Sequence, residues 1–300
     1  EYSSTALIPV VQEYGYEVHE GVKAASAKLG DTDYFLLIFG DIVIDPEAVS
    51  ELVSAHLSEE PDATILTVPV EPRHIETYGL VAVDEYGYVK KTVSKPPSTL
   101  PREPLYISGG TYILPVWSLD LFDKNYTLPE AINYIASRGK VKAVHWTKLW
   151  IDIGYPTDLL EASYQLLSRI RGVHVSDKAV VERTAVIEGP VIVDEKAYID
   201  HYAVVKGPAY IGREAFIGAH SFIRFYVDVE ERVVLGAYNE VRYSNIQPYV
   251  RTHSRVLILD SVIGENSILE PNIVVLNILP EQEEPPRLRI HIVAKPGILK

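Results

Sequence analysis

Two aspartates stand out because each ends an apolar run and borders a glycine. In YFLLIFGDIVID (34–45) the apolar residues 35–39 run through Gly40 into Asp41. In LWIDIGYPTDLLEA (149–162) an apolar stretch reaches Asp152, Gly154 follows, and Pro156 opens a helix. A carboxylate at the end of a buried strand is a candidate magnesium ligand, because hard cations take oxygen donors and often keep only one or two protein carboxylates. Gly40 leaves room for a ligand to approach the backbone. The two carboxylates could converge on one metal. Asp41 could equally be a solvated turn residue ahead of a helix cap.

The elements that would position them alternate. Apolar runs at 36–40, 63–70, 79–84 and 110–116 predict strands. Between the first two, DPEAVSELVSAHLSEEP (45–61) has helical periodicity, opened by Asp45 and Pro46, with Val49, Leu52, Val53 and Leu57 on one face. Further helices are predicted at 18–30, closed by Gly30, at 128–139, closed by Gly139, and at 155–172. Alternating strands and helices predict an α/β domain with a mostly parallel sheet covered on both faces. Ligands bind such sheets outside the carboxyl ends of the strands, which is where Asp41 falls.

The second half has a different period. Aliphatic residues recur every six positions at Val175, Val181, Ile187, Val193, Ile199, Val205, Ile211, Ile217, Ile223, Val229, Leu235 and Val241. Small residues follow most of them four positions on: Ala179, Ala185, Ala197, Ala203, Ala209, Ala215 and Ser221. This is the hexapeptide pattern of a parallel β-helix, in which each side points one aliphatic chain inward and small residues fit the corners. The register breaks after Val241 and resumes at Leu257, Ile263, Leu269 and Val275, which predicts a protruding loop between. EQEEPP (281–286) should end the solenoid. The expected domains are 1–166, 167–280 and a tail at 281–300.

Composition narrows the function. A net charge of -13 argues against binding a nucleic-acid backbone. The absence of cysteine excludes disulfides, thiolate metal sites and a cysteine nucleophile. No apolar run is long enough for a membrane span and no leader is visible, so a cytoplasmic protein is expected. The chain starts at Glu1 and contains no Met. The expectation is therefore that residues are missing, above all before Glu1.

Several stretches, in order, resemble one family. FGDIV (39–43), YGLVAVDEYGYV (78–89), VSKPP (93–97), YISGGTYIL (106–114) and WIDIGYP (150–156), preceded by VVQEYGY (10–16), are similar to motifs of the sugar-1-phosphate nucleotidyltransferases that carry a C-terminal left-handed β-helix. The resemblance implies a Rossmann-like α/β nucleotidyltransferase domain followed by that helix. It implies transfer of a nucleotidyl group from a nucleoside triphosphate, dTTP or UTP, to a sugar 1-phosphate. Asp41 and Asp152 would then hold Mg²⁺ as catalytic residues, and Lys95 would bind the sugar phosphate. Gln12 would read the base, with Gly40 beside the nucleotide. Gly79, Ser108 and Gly110 would line the sugar pocket.

The chain departs from that pattern in places. The family's glycine-rich Thr-Arg loop is absent, Ser94 precedes Lys95 where Glu is usual, and Ser108 stands in place of Asn. The favoured explanation is a truncated chain. Two rivals follow: a non-catalytic regulatory subunit, or an added hexapeptide acyltransferase activity with His201, His220 or, chiefly, His253 as base. A β-helix without acyl transfer usually serves assembly, so a homo-oligomer is expected.

Overall fold

The computed structural model describes residues 7–13, 15–70, 78–93 and 104–277, with the backbone of 298–299. They form two compact units, Glu1–Trp150 and Ile151–Lys300.

In the first unit the order is α1 (Val18–Ser26), β1 (Tyr34–Ile38), β2 (Ile42–Ile44), α2 (Pro46–Glu59), β3 (Ala63–Pro69), β4 (Leu80–Val83), β5 (Val89–Val93), β6 (Leu105–Pro115), α3 (Leu119–Asp123), α4 (Leu128–Ala136) and β7 (Val141–His145). β8 (Trp150–Asp152) straddles the boundary. The main sheet runs β5-β4-β6-β3-β7, with β1 also paired to β6. Only β3 and β7 pair in parallel; β6 lies antiparallel to β1, β3 and β4. The sheet is thus mixed and not mostly parallel, because the long β6 inserts between strands that run the same way.

Local chemistry explains the helices. Asp45 stands at the N-cap position of α2 without a capping side-chain hydrogen bond, Pro46 opens the first turn, and Glu60, at φ 46, ends the helix in the left-handed region. The inward face of α2 is Ala48, Leu52 and His56, while Leu57 faces solvent. His56 is tolerated inside because its Nδ1 meets Thr64 Oγ1 at 2.8 Å. Burial holds that imidazole below the usual histidine range. Thr127 and Glu130 form a capping box on α4.

The second unit begins with α5 (Pro156–Leu167) and continues as a parallel solenoid. Its first ladder stacks Val173–Val175, Val191–Val193, Ala209–Ile211, Val227–Val229, Asn245–Ile246 and Val262–Ile263. The second stacks Val180–Val181, Tyr198–Ile199, Phe216–Ile217, Val234–Leu235, Arg251–Thr252, Ile268–Leu269 and finally Ile298–Leu299. The third stacks Val186–Glu188, Val204–Lys206, Phe222–Arg224, Glu240–Arg242, Leu257–Leu259 and Val274–Leu276. The aliphatic residues of the hexad fill the interior from Val193 to Val241, and Ala197, Ala203, Ala209, Ala215 and Ser221 are buried beside them. Coils pack closely enough that a Cβ on Gly218 would lie 2.6 Å from the carbonyl carbon of Gly236.

The expected protruding loop after Val241 does not exist. Val193 pairs with Ile211, eighteen positions on, whereas Val229 pairs with Ile246, only seventeen on. The missing residue is at one corner: Phe225 and Tyr226 both have positive φ, but one coil later Tyr243 alone turns the chain. Ile258, not Leu257, then points inward. The pattern was further obscured because Thr252 takes an aliphatic slot. It is satisfied there by Asn239 Nδ2 and by the Gly236 N–H at 3.1 Å, and Asn239 Oδ1 in turn accepts the Val256 N–H at 2.8 Å. The tail expected beyond 280 returns to the solenoid, with Ile298–Leu299 pairing with Ile268–Leu269.

α5 docks on the first ladder through a polar contact. Asn245 Nδ2 donates to Asp228 Oδ2 at 2.9 Å, and Ser163 Oγ, from α5, donates to the same oxygen at 3.4 Å. Burial, reinforced by the nearby Glu230, pushes the Asp228 carboxyl up to about 7. No helix among the described residues is long and apolar enough to cross a membrane.

Candidate active site

Because β1 and β3 both oppose β6, and β7 runs with β3, the carboxyl ends of β1, β3 and β7 share one edge of the first unit. Asp41 lies on this edge, exposed, in the turn between β1 and β2. The Phe39 N–H donates to Gly110 O at 2.9 Å and fastens the turn to β6. Gly110 has φ +73, and a Cβ there would lie 2.8 Å from Ile42 Cγ1 and 3.3 Å from Phe39 Cδ2. Glycine is required at that position so that the Asp41 turn can seat. At Gly40 and Gly79 a Cβ would meet nothing within 4 Å, so both border open space.

A row of residues crosses the same edge. The Ser108 N–H donates to Gly79 O at 2.9 Å. Thr67 pairs with Ser108 on one side and with His145 on the other. β6 carries the extra residues Gly109 and Gly110 where its register with β3 shifts, which bulges the strand beside the row. Ser108 Oγ and Tyr112 OH lie 2.6 Å apart. Burial pushes the Tyr112 phenol up to about 12, so it remains a neutral partner. Thr67 Oγ1 lies 2.8 Å from His145 Nδ1 and donates to Val144 O at 3.2 Å. The His145 ring stacks on Tyr106, with centroids 4.1 Å apart and planes at 23°. Burial, and then the Lys142 ammonium, hold His145 below the usual histidine range. Trp150 closes the group, its Nε1–H donating to Gly109 O at 3.0 Å and its ring edge-on to Tyr78.

The edge therefore gathers Asp41, Gly40, Gly79, Ser108 and Gly110 from the sequence-based set. Gln12 is engaged locally, its Nε2 donating to Gly15 O at 3.1 Å and Glu17 O at 3.3 Å. Asp152 ends β8 in the second unit, half-buried. Lys95 lies outside the described residues. His253 sits exposed on a regular solenoid corner, not on a protruding loop. Thr67, Tyr106 and His145 were not singled out from sequence. The available signal was the alternation Val141, Ala143, His145, which puts the histidine on the same face of β7 as those two residues, at its exposed end.

Among the described residues no three His, Asp or Glu side chains form a ready-made metal cage. The donor chemistry fits magnesium in its other mode, with one or two carboxylates and the remaining positions taken by substrate oxygens and water. Asp41 offers an exposed carboxylate for that purpose.

Residues 4–169 match the family model described as nucleotidyl transferase. The chain belongs to the nucleotidyl transferase family. The matched segment takes in the first unit from residue 4, together with β8 and α5. Similar proteins include the bifunctional protein GlmU of Methanocaldococcus jannaschii, 28% identical over 181 residues, which are 58% of this chain and 41% of that protein. The mannose-1-phosphate guanylyltransferase catalytic subunit beta of Drosophila melanogaster is 28% identical over 139 residues, 46% of this chain and 36% of that protein. A bifunctional sugar-1-phosphate nucleotidylyltransferase/acetyltransferase of Sulfurisphaera tokodaii is 26% identical over 178 residues, 58% of this chain and 42% of that protein. This nucleotidyl transferase chain thus spans about two fifths of the length of the curated relatives it matches.

Proposed function

We propose that the protein to which this chain belongs transfers a nucleotidyl group from a nucleoside triphosphate to a sugar 1-phosphate. The observation that carries the reading is the strand-end edge, where the Asp41 turn, the open space at Gly40 and Gly79, and the Ser108–Thr67–His145 row lie together. An oxygen of the sugar phosphate forms a bond to the α-phosphorus. The bond from that phosphorus to its bridging oxygen breaks, and pyrophosphate leaves with the electron pair. Such reactions depend mainly on positioning and charge neutralisation. Asp41 and Asp152 are the residues that would hold magnesium, which when bound neutralises phosphate charge. Lys95 adds a counter-charge for the sugar phosphate, and Ser108 with Gly79 accommodates the sugar.

The nucleotide is a wider question than the sequence reading allowed. One relative is named a guanylyltransferase, so GTP joins UTP and dTTP among the candidates. The solenoid is proposed to mediate self-association, supported by outward-facing Val186 and Val274 on its third ladder, 41% and 57% exposed. His253 as an acyl-transfer base gains no support from its place on a regular corner.

The test is pyrophosphate release by the full-length protein over a panel of hexose 1-phosphates with UTP, dTTP, GTP and ATP. Release should require a divalent cation. Asp41→Asn should lower turnover by roughly 100-fold or more with Tm almost unchanged, because the removed charge sits in an exposed turn. No release across the panel, or full turnover by Asp41→Asn, would sink the reading.

A further inference from the structure

His145 is the last residue of β7, and its ring is held from two sides. Tyr106 stacks against one face at 4.1 Å, and Thr67 meets Nδ1 at 2.8 Å. The Thr67 hydroxyl has one proton and two acceptors in reach, Val144 O at 3.2 Å and His145 Nδ1 at 2.8 Å. Directed to Val144 O, it leaves Thr67 to accept from the imidazole, so that Nδ1 carries the proton and Nε2 a lone pair. Thr67 itself is fully buried, so its contact with the ring is shielded from water, while His145 remains exposed. Among the described residues Nε2 has no hydrogen-bond partner.

An unprotonated nitrogen repels phosphate oxygens, which are acceptors too, and needs an O–H or N–H donor. The carboxyl ends of parallel strands are where such sheets take ligands. The neighbours of His145 in the row are a buried Thr67, the small Ser108 and the open Gly79. This describes a polar shelf with room for a compact, hydroxyl-rich molecule, not an anion clamp. We propose that His145 binds the sugar of the sugar 1-phosphate, accepting a ring hydroxyl at Nε2 in the tautomer set by Thr67. The assignment rests on the nucleotidyl-transfer reading for which substrate is present, but the contact itself is a property of this edge. Burial and Lys142 favour the neutral ring that the contact requires.

The test uses the full-length protein and separates binding from turnover. His145→Phe keeps a flat ring against Tyr106 and deletes the acceptor. It should raise KM for the hexose 1-phosphate about tenfold, the worth of one hydrogen bond, with KM for the nucleotide within about twofold. His145→Gln, which restores an acceptor near the Nε2 position, should recover part of the loss. Thr67→Val should produce a smaller rise, by releasing the tautomer. In parallel, ¹⁵N spectra of the imidazole should show Nε2 unprotonated, with its signal moving when the hexose 1-phosphate is added and not when the nucleotide is. A rise confined to nucleotide KM, an unchanged sugar KM in His145→Phe, or a protonated Nε2 would overturn the proposal. A moving Nε2 signal without any pyrophosphate release would uphold the sugar contact and overturn the nucleotidyl-transfer reading instead.

Discussion

At the scale of single residues, the site depends on side chains that are absent as much as on those present. Gly110 combines a positive φ with contacts that leave no space for a methyl group, since Ile42 Cγ1 would lie 2.8 Å away. Gly110→Ala should therefore cost roughly 1–3 kcal/mol of stability and displace the Asp41 turn. Urea unfolding would read the first effect and turnover the second. A variant as stable and active as the parent would mean the turn is not seated by Gly110. The place of Asp41 and its glycine at a strand end was legible because a charge interrupts an apolar run there, but the expected burial of that run was not met, since Tyr34, Leu36 and Ile38 of β1 are exposed. His145 was not, because its importance comes from pairing with Thr67, distant in sequence, and no local pattern records that register.

At the scale of elements, the solenoid was easy to read and its exceptions were not. A period of six survives one polar intruder, yet the coincidence of Thr252 with a corner one residue short imitated a loop. In α2 the start was legible from Asp45 and Pro46, whereas the inner face was misassigned because His56 is a buried polar residue. The docking of α5 on the first ladder carries its own pH signature. Asp228 is raised to about 7 from an ordinary 3.8, so the folded form holds a proton that the unfolded chain releases. This contribution is fully present below about pH 4 and is lost as pH rises through about 7. Glu230, also raised by burial, acts in the same direction. The Asp228 part is on the order of a few kcal/mol at most. Asp228→Asn should raise Tm at pH 8 and flatten the fall in Tm between pH 5 and pH 8. An equally steep fall in the variant would show that Asp228 titrates normally.

At the scale of the whole molecule, the two units keep to different rules. The first builds its strand-end edge from strands far apart in sequence, while the second repeats one coil against the next. A repeated coil raises the question of what stops it. Each coil is a template for its successor, so an uncovered coil is in principle a growing tip for a fibre of identical chains. Ile298–Leu299 occupy the place on the second ladder that a foreign coil would take. Pairing there should block such growth, and Ile298→Pro with Leu299→Pro should convert the protein into concentration-dependent elongated particles, seen by light scattering and electron microscopy. If that variant stays as disperse as its parent, growth is arrested elsewhere.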